Sequence, residues 1–343
     1  MDFFWQNGFS EVLFGIILGL VQGVTEFLPI SSTAHLRLIS EVLVGRDIGL
    51  KTSNVIQFGT LLAILQYFRQ DLKVFWLRIS AILQGFFAAD DRDRQNFFQT
   101  FQNWSKVNVE NEKLLDNSIN QNNLEHSEIE EKNRKTDITL SQLLVGTLPI
   151  IIMALFLRNF AESHRSVLDI GIFVIIGGVL LALGEFFHLQ TKKLPHTKNL
   201  NFGEVILVGI FQSLAIFPGM SRSGSILAGS LFLGRDRAES VRFAFLLSIP
   251  AIFLSGIWDM VKMILDLFTG KITLLPSVNF ASGLEVKLSL LTVVVSFVFS
   301  YFAGLLSLKW LLKFLSSNTN SRFIIYRLIL GLCLIIWAVM ARK

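Results

Sequence analysis

Two widely separated stretches of the chain are variants of one pattern: Gly19-Leu-Val-Gln-Gly-Val-Thr-Glu-Phe-Leu-Pro-Ile-Ser-Ser-Thr33 and Gly209-Ile-Phe-Gln-Ser-Leu-Ala-Ile-Phe-Pro-Gly-Met-Ser-Arg-Ser223. In each, an apolar run containing a Gln is broken by Pro and followed by a cluster of hydroxyls. Broken apolar helices that recur in the two halves of a membrane chain point to a site at the junction of those halves. The residues that converge there are Glu26, His35 and Arg222.

The surroundings of these stretches set the fold class. Of 343 residues 52% are hydrophobic and 32 are Phe, more apolar surface than a soluble domain of this length buries. The expected fold is an all-α polytopic membrane protein with inverted-topology repeats, about six spanning helices and re-entrant helix pairs. A span needs about 20 largely apolar residues. The best candidates lie near 53–68, 140–157, 167–188, 241–266, 287–314 and 323–340. Shorter or polar-interrupted runs near 11–28, 31–44, 72–87, 203–217 and 225–233 suit re-entrant or packed helices. One transmembrane domain results, with repeat 1 at about 1–157 and repeat 2 at about 167–340. Pro149 and Pro250 stand in similar contexts and read as kinks in related helices.

Residues 88–138 differ in kind, with seven Lys/Arg against eleven Asp/Glu and few apolar anchors. They read as a flexible extramembrane insert. Without them the chain carries a charge of plus nine, as expected of loops that meet lipid headgroups, and nucleic acid need not be invoked. The single Cys333 excludes an intramolecular disulfide and a Cys-based metal cluster.

The chemistry lies in polar residues inside apolar runs. Gln22 and Glu26 are four apart and share a helical face, which Pro29 ends just beyond Glu26. A carboxylate at membrane depth costs roughly 2.5–3.5 kcal/mol on insertion scales, so it marks a functional site by default. Ser31, Ser32 and Thr33 open the next helix, where capping is their plainest role. His35 follows Ser32 by three residues, and a Ser–His pair is the minimum for an activated oxygen nucleophile; a structural, hydrogen-bonded His is the plain alternative. In the second stretch Gly219 and Gly224 allow close backbone approach, and the new helix offers free N–H groups to an anion. Arg222, between Ser221 and Ser223, brings a fork of donors suited to phosphate oxygens. A salt bridge from Arg222 to Glu26 is its structural alternative.

Gln22-Gly-Val-Thr-Glu-Phe-Leu-Pro-Ile-Ser-Ser-Thr-Ala-His35 and Pro218-Gly-Met-Ser-Arg-Ser-Gly224 closely resemble the two signature motifs of the undecaprenyl-diphosphate phosphatases of the bacitracin-resistance type. The resemblance extends to Val145-Gly-Thr-Leu-Pro149 and Phe245-Leu-Leu-Ser-Ile-Pro250 and leaves out only the insert. It implies a multi-pass enzyme of the bacterial plasma (inner) membrane. Such an enzyme removes the terminal phosphate of undecaprenyl diphosphate, recycles the lipid carrier for peptidoglycan and other wall polymers, and confers bacitracin resistance. It further implies dependence on a divalent cation, Mg²⁺ or Ca²⁺, with the lipid bilayer and a polyprenyl diphosphate as partners and a homodimer as one assembly to expect.

By motif position the resemblance gives Ser32 as nucleophile, with His35, Glu26 and Arg222 also catalytic. Glu26 is expected to hold the metal or act as base, His35 to deprotonate Ser32 or protonate the leaving lipid phosphate, and Gln22, Ser31, Thr33, Gly219, Ser221, Ser223 and Gly224 to line the substrate site. Two departures are Gln22, where many relatives carry Glu, and Ile226, where the motif often has Thr. The expected mechanism is in-line attack by Ser32 on a phosphate held by Arg222, with positioning and charge neutralisation supplying most of the catalysis. A flippase or secondary transporter uses the same fold parts and is the competing reading.

Overall fold

The computed structural model describes residues 8–45, 47–73, 75, 76, 80, 138–191, 200–268 and 290–341, and no strand occurs among them. The chain divides into two units, residues 1–68 with 138–343, and residues 69–137. In the second unit the described residues 69–73, 75, 76 and 80 are helical, and the insert expected at 88–138 lies, except for Ile138, outside the described residues. The first unit carries α1 (Gly8–Phe27), α2 (Ser32–Val44), α3 (Gly49–Tyr67), α4 (Leu140–Ser163) and α5 (Val167–Thr191). After these come α6 (Phe202–Ser213), α7 (Arg222–Phe232), α8 (Arg237–Phe268), α9 (Leu290–Leu315) and α10 (Ser321–Met340).

Among the described residues six helices are long and apolar enough to cross a membrane: Ser10–Phe27, Leu140–Ser163, Val167–Gln190, Arg237–Lys262, Leu290–Leu315 and Ser321–Met340. The protein is therefore an all-α polytopic membrane protein. Five of these coincide with expected spans, and the sixth does not. The run near 53–68 falls in α3, where Lys51, Thr52, Asn54 and Gln57 dilute the apolar character, whereas 11–28, placed among the shorter or polar-interrupted runs that suit re-entrant or packed helices, forms a 20-residue helix with the length and hydropathy of a span.

Local chemistry explains the ends of the key helices. Capping boxes start α4 (Thr139 with Gln142) and α6 (Asn201 with Glu204). Pro29 follows α1 and Pro218 follows α6 and its 3₁₀ turn Leu214–Ile216, and a proline cannot extend the ladder of backbone N–H donors. Beyond each break a serine with positive φ restarts the helix: Ser31 (φ 75°) accepts from Ala34 N–H and Ser221 (φ 65°) from Gly224 N–H.

Interhelical bonds fix the direction of each helix. Asp47, between α2 and α3, binds Arg165, between α4 and α5, so those turns share one end of the bundle, and there α9 starts beside α1, with Thr292 Oγ1 donating to Glu11 O. At the opposite end Arg235 and Arg237 bind Glu204 and Glu185, and Asn320 donates to Glu185. The α1–α2 pair thus enters from one end, α6–α7 enters from the other, and their breaks meet inside. Each entering helix lies against a partner at backbone distance: a methyl on Gly19 would collide with Ser296 O of α9, and one on Gly209 with Gly146 O of α4.

Candidate active site

Glu26 sits on the last turn of α1, 9% exposed, and collects donors from three directions. Gln22 Nε2 donates to Oε2 at 2.9 Å from one turn earlier, the helical neighbour expected from their spacing. Ser32 Oγ donates to the same oxygen at 2.7 Å across the Pro29 break. Gln57 of α3 donates to Oε1. Arg222 Nη1 lies 3.8 Å from Oε1, and its Nε and Nη1 are buried without a hydrogen-bond partner among the described residues. The Arg222–Glu26 contact is a loose ion pair rather than a closed salt bridge. A buried guanidinium with free N–H groups is costly unless an acceptor fills the space in front of it.

The two breaks are tied together by the polar residues of α7. Ser223 Oγ reaches the carbonyls of Glu26 (3.3 Å) and Leu28 (3.2 Å), and shares a 3.1 Å hydrogen bond with Ser221 Oγ. Gly219 has φ 111°, and a Cβ there would press on Ile170 O at 2.7 Å, so the second break needs glycine on both counts. Gly224 keeps the first turn of α7 narrow beside Ser221 and Arg327. Thr33 is partly exposed beside Ser32 and makes no hydrogen bond among the described residues.

One expected pair is not formed. His35 Nδ1 bonds Ser31 O at 2.7 Å and Nε2 bonds Tyr326 OH at 2.6 Å, so the imidazole turns away from Ser32. Those partners fix Nδ1–H as donor to the carbonyl and Nε2 as acceptor from the phenol. The Ser–His pairing fails because Ser32 is the first helical residue and faces back over the break toward α1, while His35 has turned onto the α10 side. The carboxylate of Glu26 stands where the sequence reading put the imidazole.

Three participants escaped the sequence reading: Gln57, Tyr326 and Arg327. Arg327 is fully buried on α10 and donates to backbone carbonyls at both breaks. A charged residue inside the apolar run of α10 was itself the available signal. Gln57 and Tyr326 carried none beyond polarity within an apolar helix.

The cluster also bears on the expected cation. Glu26 is its carboxylate, Gln22 and Gln57 add amides, and Ser32 adds a hydroxyl. Both amides and the hydroxyl turn their hydrogens toward Glu26, which leaves one carboxylate as the charged oxygen ligand, and no group of three or more His, Cys, Asp or Glu forms a metal cage among the described residues. A Mg²⁺ or Ca²⁺ here would have Glu26 as its charged protein ligand and would depend on substrate phosphate for much of its coordination.

The chain is similar to known proteins over most of its length. The chain is 31% identical over 344 residues to the undecaprenyl-diphosphatase of Prochlorococcus marinus (strain MIT 9313), covering 99% of this chain and 91% of that protein. It is 32% identical over 329 residues to the undecaprenyl-diphosphatase of Myxococcus xanthus (strain DK1622), covering 95% and 89%. To that of Gloeobacter violaceus (strain ATCC 29082 / PCC 7421) it is 34% identical over 324 residues, covering 93% and 89%. The family profile for bacitracin resistance protein BacA matches residues 15–333, which include both breaks and every member of the cluster. The chain belongs to the bacitracin resistance protein BacA family.

Proposed function

We propose that this protein hydrolyses undecaprenyl diphosphate to undecaprenyl phosphate and inorganic phosphate in the bacterial plasma membrane. In doing so it returns the lipid carrier to peptidoglycan synthesis and confers bacitracin resistance. The observation that carries this reading is a serine hydroxyl bonded to a buried carboxylate, 3.8 Å from an arginine whose N–H groups lack partners. The terminal phosphate lies between Arg222 and the starts of α2 and α7, whose free N–H groups favour an anion. Ser32 Oγ attacks phosphorus, its proton passes to Glu26, and the bond from phosphorus to the bridging oxygen breaks, leaving the lipid monophosphate. Water then attacks the phosphorus of the phosphoserine, the bond to Ser32 Oγ breaks, Ser32 takes its proton back from Glu26, and the phosphate leaves with the protons of the water. Positioning and charge neutralisation supply the catalysis, as phosphoryl transfer requires. A Mg²⁺ or Ca²⁺ held by Glu26 would add charge neutralisation at the phosphates. His35 orients Ser31 and, through Tyr326, ties α2 to α10.

Repeat organisation is part of the same reading. Aligning the breaks matches α1–α5 with α6–α10, so α1 packing on α9 mirrors α6 packing on α4. Repeat 1 then ends with α5 at Thr191 and repeat 2 begins at Phe202, rather than at 157 and 167. Pro149 falls in the fourth helix of its repeat and Pro250 in the third, so these prolines are not counterparts.

Transport is not favoured, because a phosphate carrier has no use for a hydroxyl held on a carboxylate. The test is phosphate release from undecaprenyl diphosphate by the detergent-solubilised protein with Mg²⁺ or Ca²⁺, alongside Ser32→Ala and Arg222→Ala. Turnover lost in both folded variants, with phosphoserine trapped on quenching the parent, supports the reading. Binding without release would return the weight to transport.

A further inference from the structure

Arg327 lies in the second turn of the membrane-spanning helix Ser321–Met340, is 0% exposed, and forms no ion pair among the described residues. An uncompensated charge in such a place is expensive, and functional residues are the usual exceptions. Its guanidinium is instead consumed by backbone: Nε donates to Val174 O (3.1 Å), Nη1 to Pro29 O (3.2 Å), and Nη2 to Gly219 O and Met220 O (both 3.0 Å). One acceptor belongs to α5, one to the first break and two to the second. The carbonyls of Pro29, Gly219 and Met220 lie outside the regular helices and have no intrahelical donor, whereas Val174 O belongs to the unbroken α5. A lysine ammonium has three donors on one atom and cannot reach the same four acceptors in a planar fork.

Joining α5 to α10 does not require this head group, because Ile170, Val174, Leu330, Leu334 and Trp337 already pack those helices together, with Ala34 of α2 beneath them. The guanidinium joins Pro29 to Gly219 and Met220, beside the bonds from Ser223 to Glu26 O and Leu28 O that also link the two breaks. We infer that Arg327 is a positioning residue that sets the two helix starts, with Ser32 on one and Arg222 on the other, at a fixed separation and keeps a positive charge behind both. The inference rests on the phosphatase reading for the anion it serves, but the placement of the breaks can be measured without substrate. Gly177 makes room for the arrangement: a methyl there would collide with Arg327 Nη2 and approach Met220 O at 2.8 Å.

The experiment compares the parent with Arg327→Lys and Gly177→Ala, which keep the charge but disturb the fork, by amide hydrogen exchange in detergent and by steady-state phosphate release. Expected in both variants is exchange about ten-fold faster at residues 30–34 and 220–225, with α5 and α10 within about two-fold of the parent. In the same variants kcat falls about ten-fold or more while KM changes less than about three-fold, because ground-state binding persists and alignment is lost. Unchanged exchange at both breaks, or equal loosening across α5 and α10, overturns the inference and leaves Arg327 a packing residue. If Arg327→Lys does not fold, Gly177→Ala decides by the same criteria. If the parent releases no phosphate, the function reading fails, while the exchange pattern still decides the role of Arg327.

Discussion

Ser32 Oγ donates to Glu26 Oε2 at 2.7 Å, joining the first residue of α2 to the last turn of α1 across the Pro29 break. Because Gln22, Gln57 and Arg222 surround the same carboxylate, it is held in place as an acceptor for the serine proton. Glu26→Gln keeps the size but cannot accept that proton as a base. We expect kcat to fall by roughly 10²–10⁴ with KM nearly unchanged, measured as initial rates of phosphate release. A variant with parental kcat would remove Glu26 from proton transfer.

Tyr326→Phe deletes the donor to His35 Nε2, and nothing else described replaces it. Tyr326 is exposed, and losing this hydrogen bond is worth about 0.5–1.5 kcal/mol, so turnover falls by up to about ten-fold if the imidazole must be held. Equal rates for Tyr326→Phe and the parent at matched folding would show that the orientation of His35 is immaterial.

How much of this was legible in the chain follows from the reach of each interaction. Pro29, Pro218 and Gly219 announce breaks through their own backbone chemistry, and the convergence of Glu26 with Arg222 follows once two such breaks are seen to repeat. The partner of Ser32 was misread because spacing rules assume both residues lie within a helix, whereas Ser32 begins one and faces across the turn. Tyr326 and Arg327 act on residues about 100 to 300 positions away, which no local pattern encodes, although a buried charge in α10 was there to be noticed. The α3 run fell short of a span because Lys51, Thr52, Asn54 and Gln57 lower its hydropathy, while α1 reaches the length and hydropathy of one despite Gln22 and Glu26.

Gly19→Ala and Gly209→Ala each push a methyl into a facing backbone carbonyl, Ser296 O and Gly146 O. Backbone cannot yield as a flexible side chain does, so each substitution should cost about 1–3 kcal/mol. Thermal unfolding of the solubilised protein should show a lowered midpoint for both. A parental midpoint would mean that the helix pairs can separate freely.

Asp47 and Arg165 lie outside the spans and form a pair with contacts of 2.6 and 3.0 Å, with side chains 12% and 9% exposed. Burial raises the Asp47 pKa, but hydrogen bonding and charge from Arg165, with help from Arg37 and Gly49 N–H, hold it below its ordinary value. A depressed carboxyl pKa means the stabilisation is complete above the ordinary carboxylate value and disappears as pH falls through the folded-state value. Asp47→Asn should therefore lower stability by about 3 kcal/mol near neutral pH, with the difference from the parent shrinking toward pH 3. A difference that is constant between about pH 7 and 3 would contradict the linkage.

The positive φ of Ser31 and Ser221 has a consequence for comparing this chain with distant relatives. Glycine would relax the backbone at either position but bring no oxygen to the helix start, and β-branched residues would meet a steric penalty. Only a short polar side chain meets both demands, so these two positions pass through one narrow filter in opposite halves of the molecule. Where the surrounding apolar residues exchange freely with one another, the two serines serve as fixed register marks by which either half of a diverged sequence can be laid upon the other.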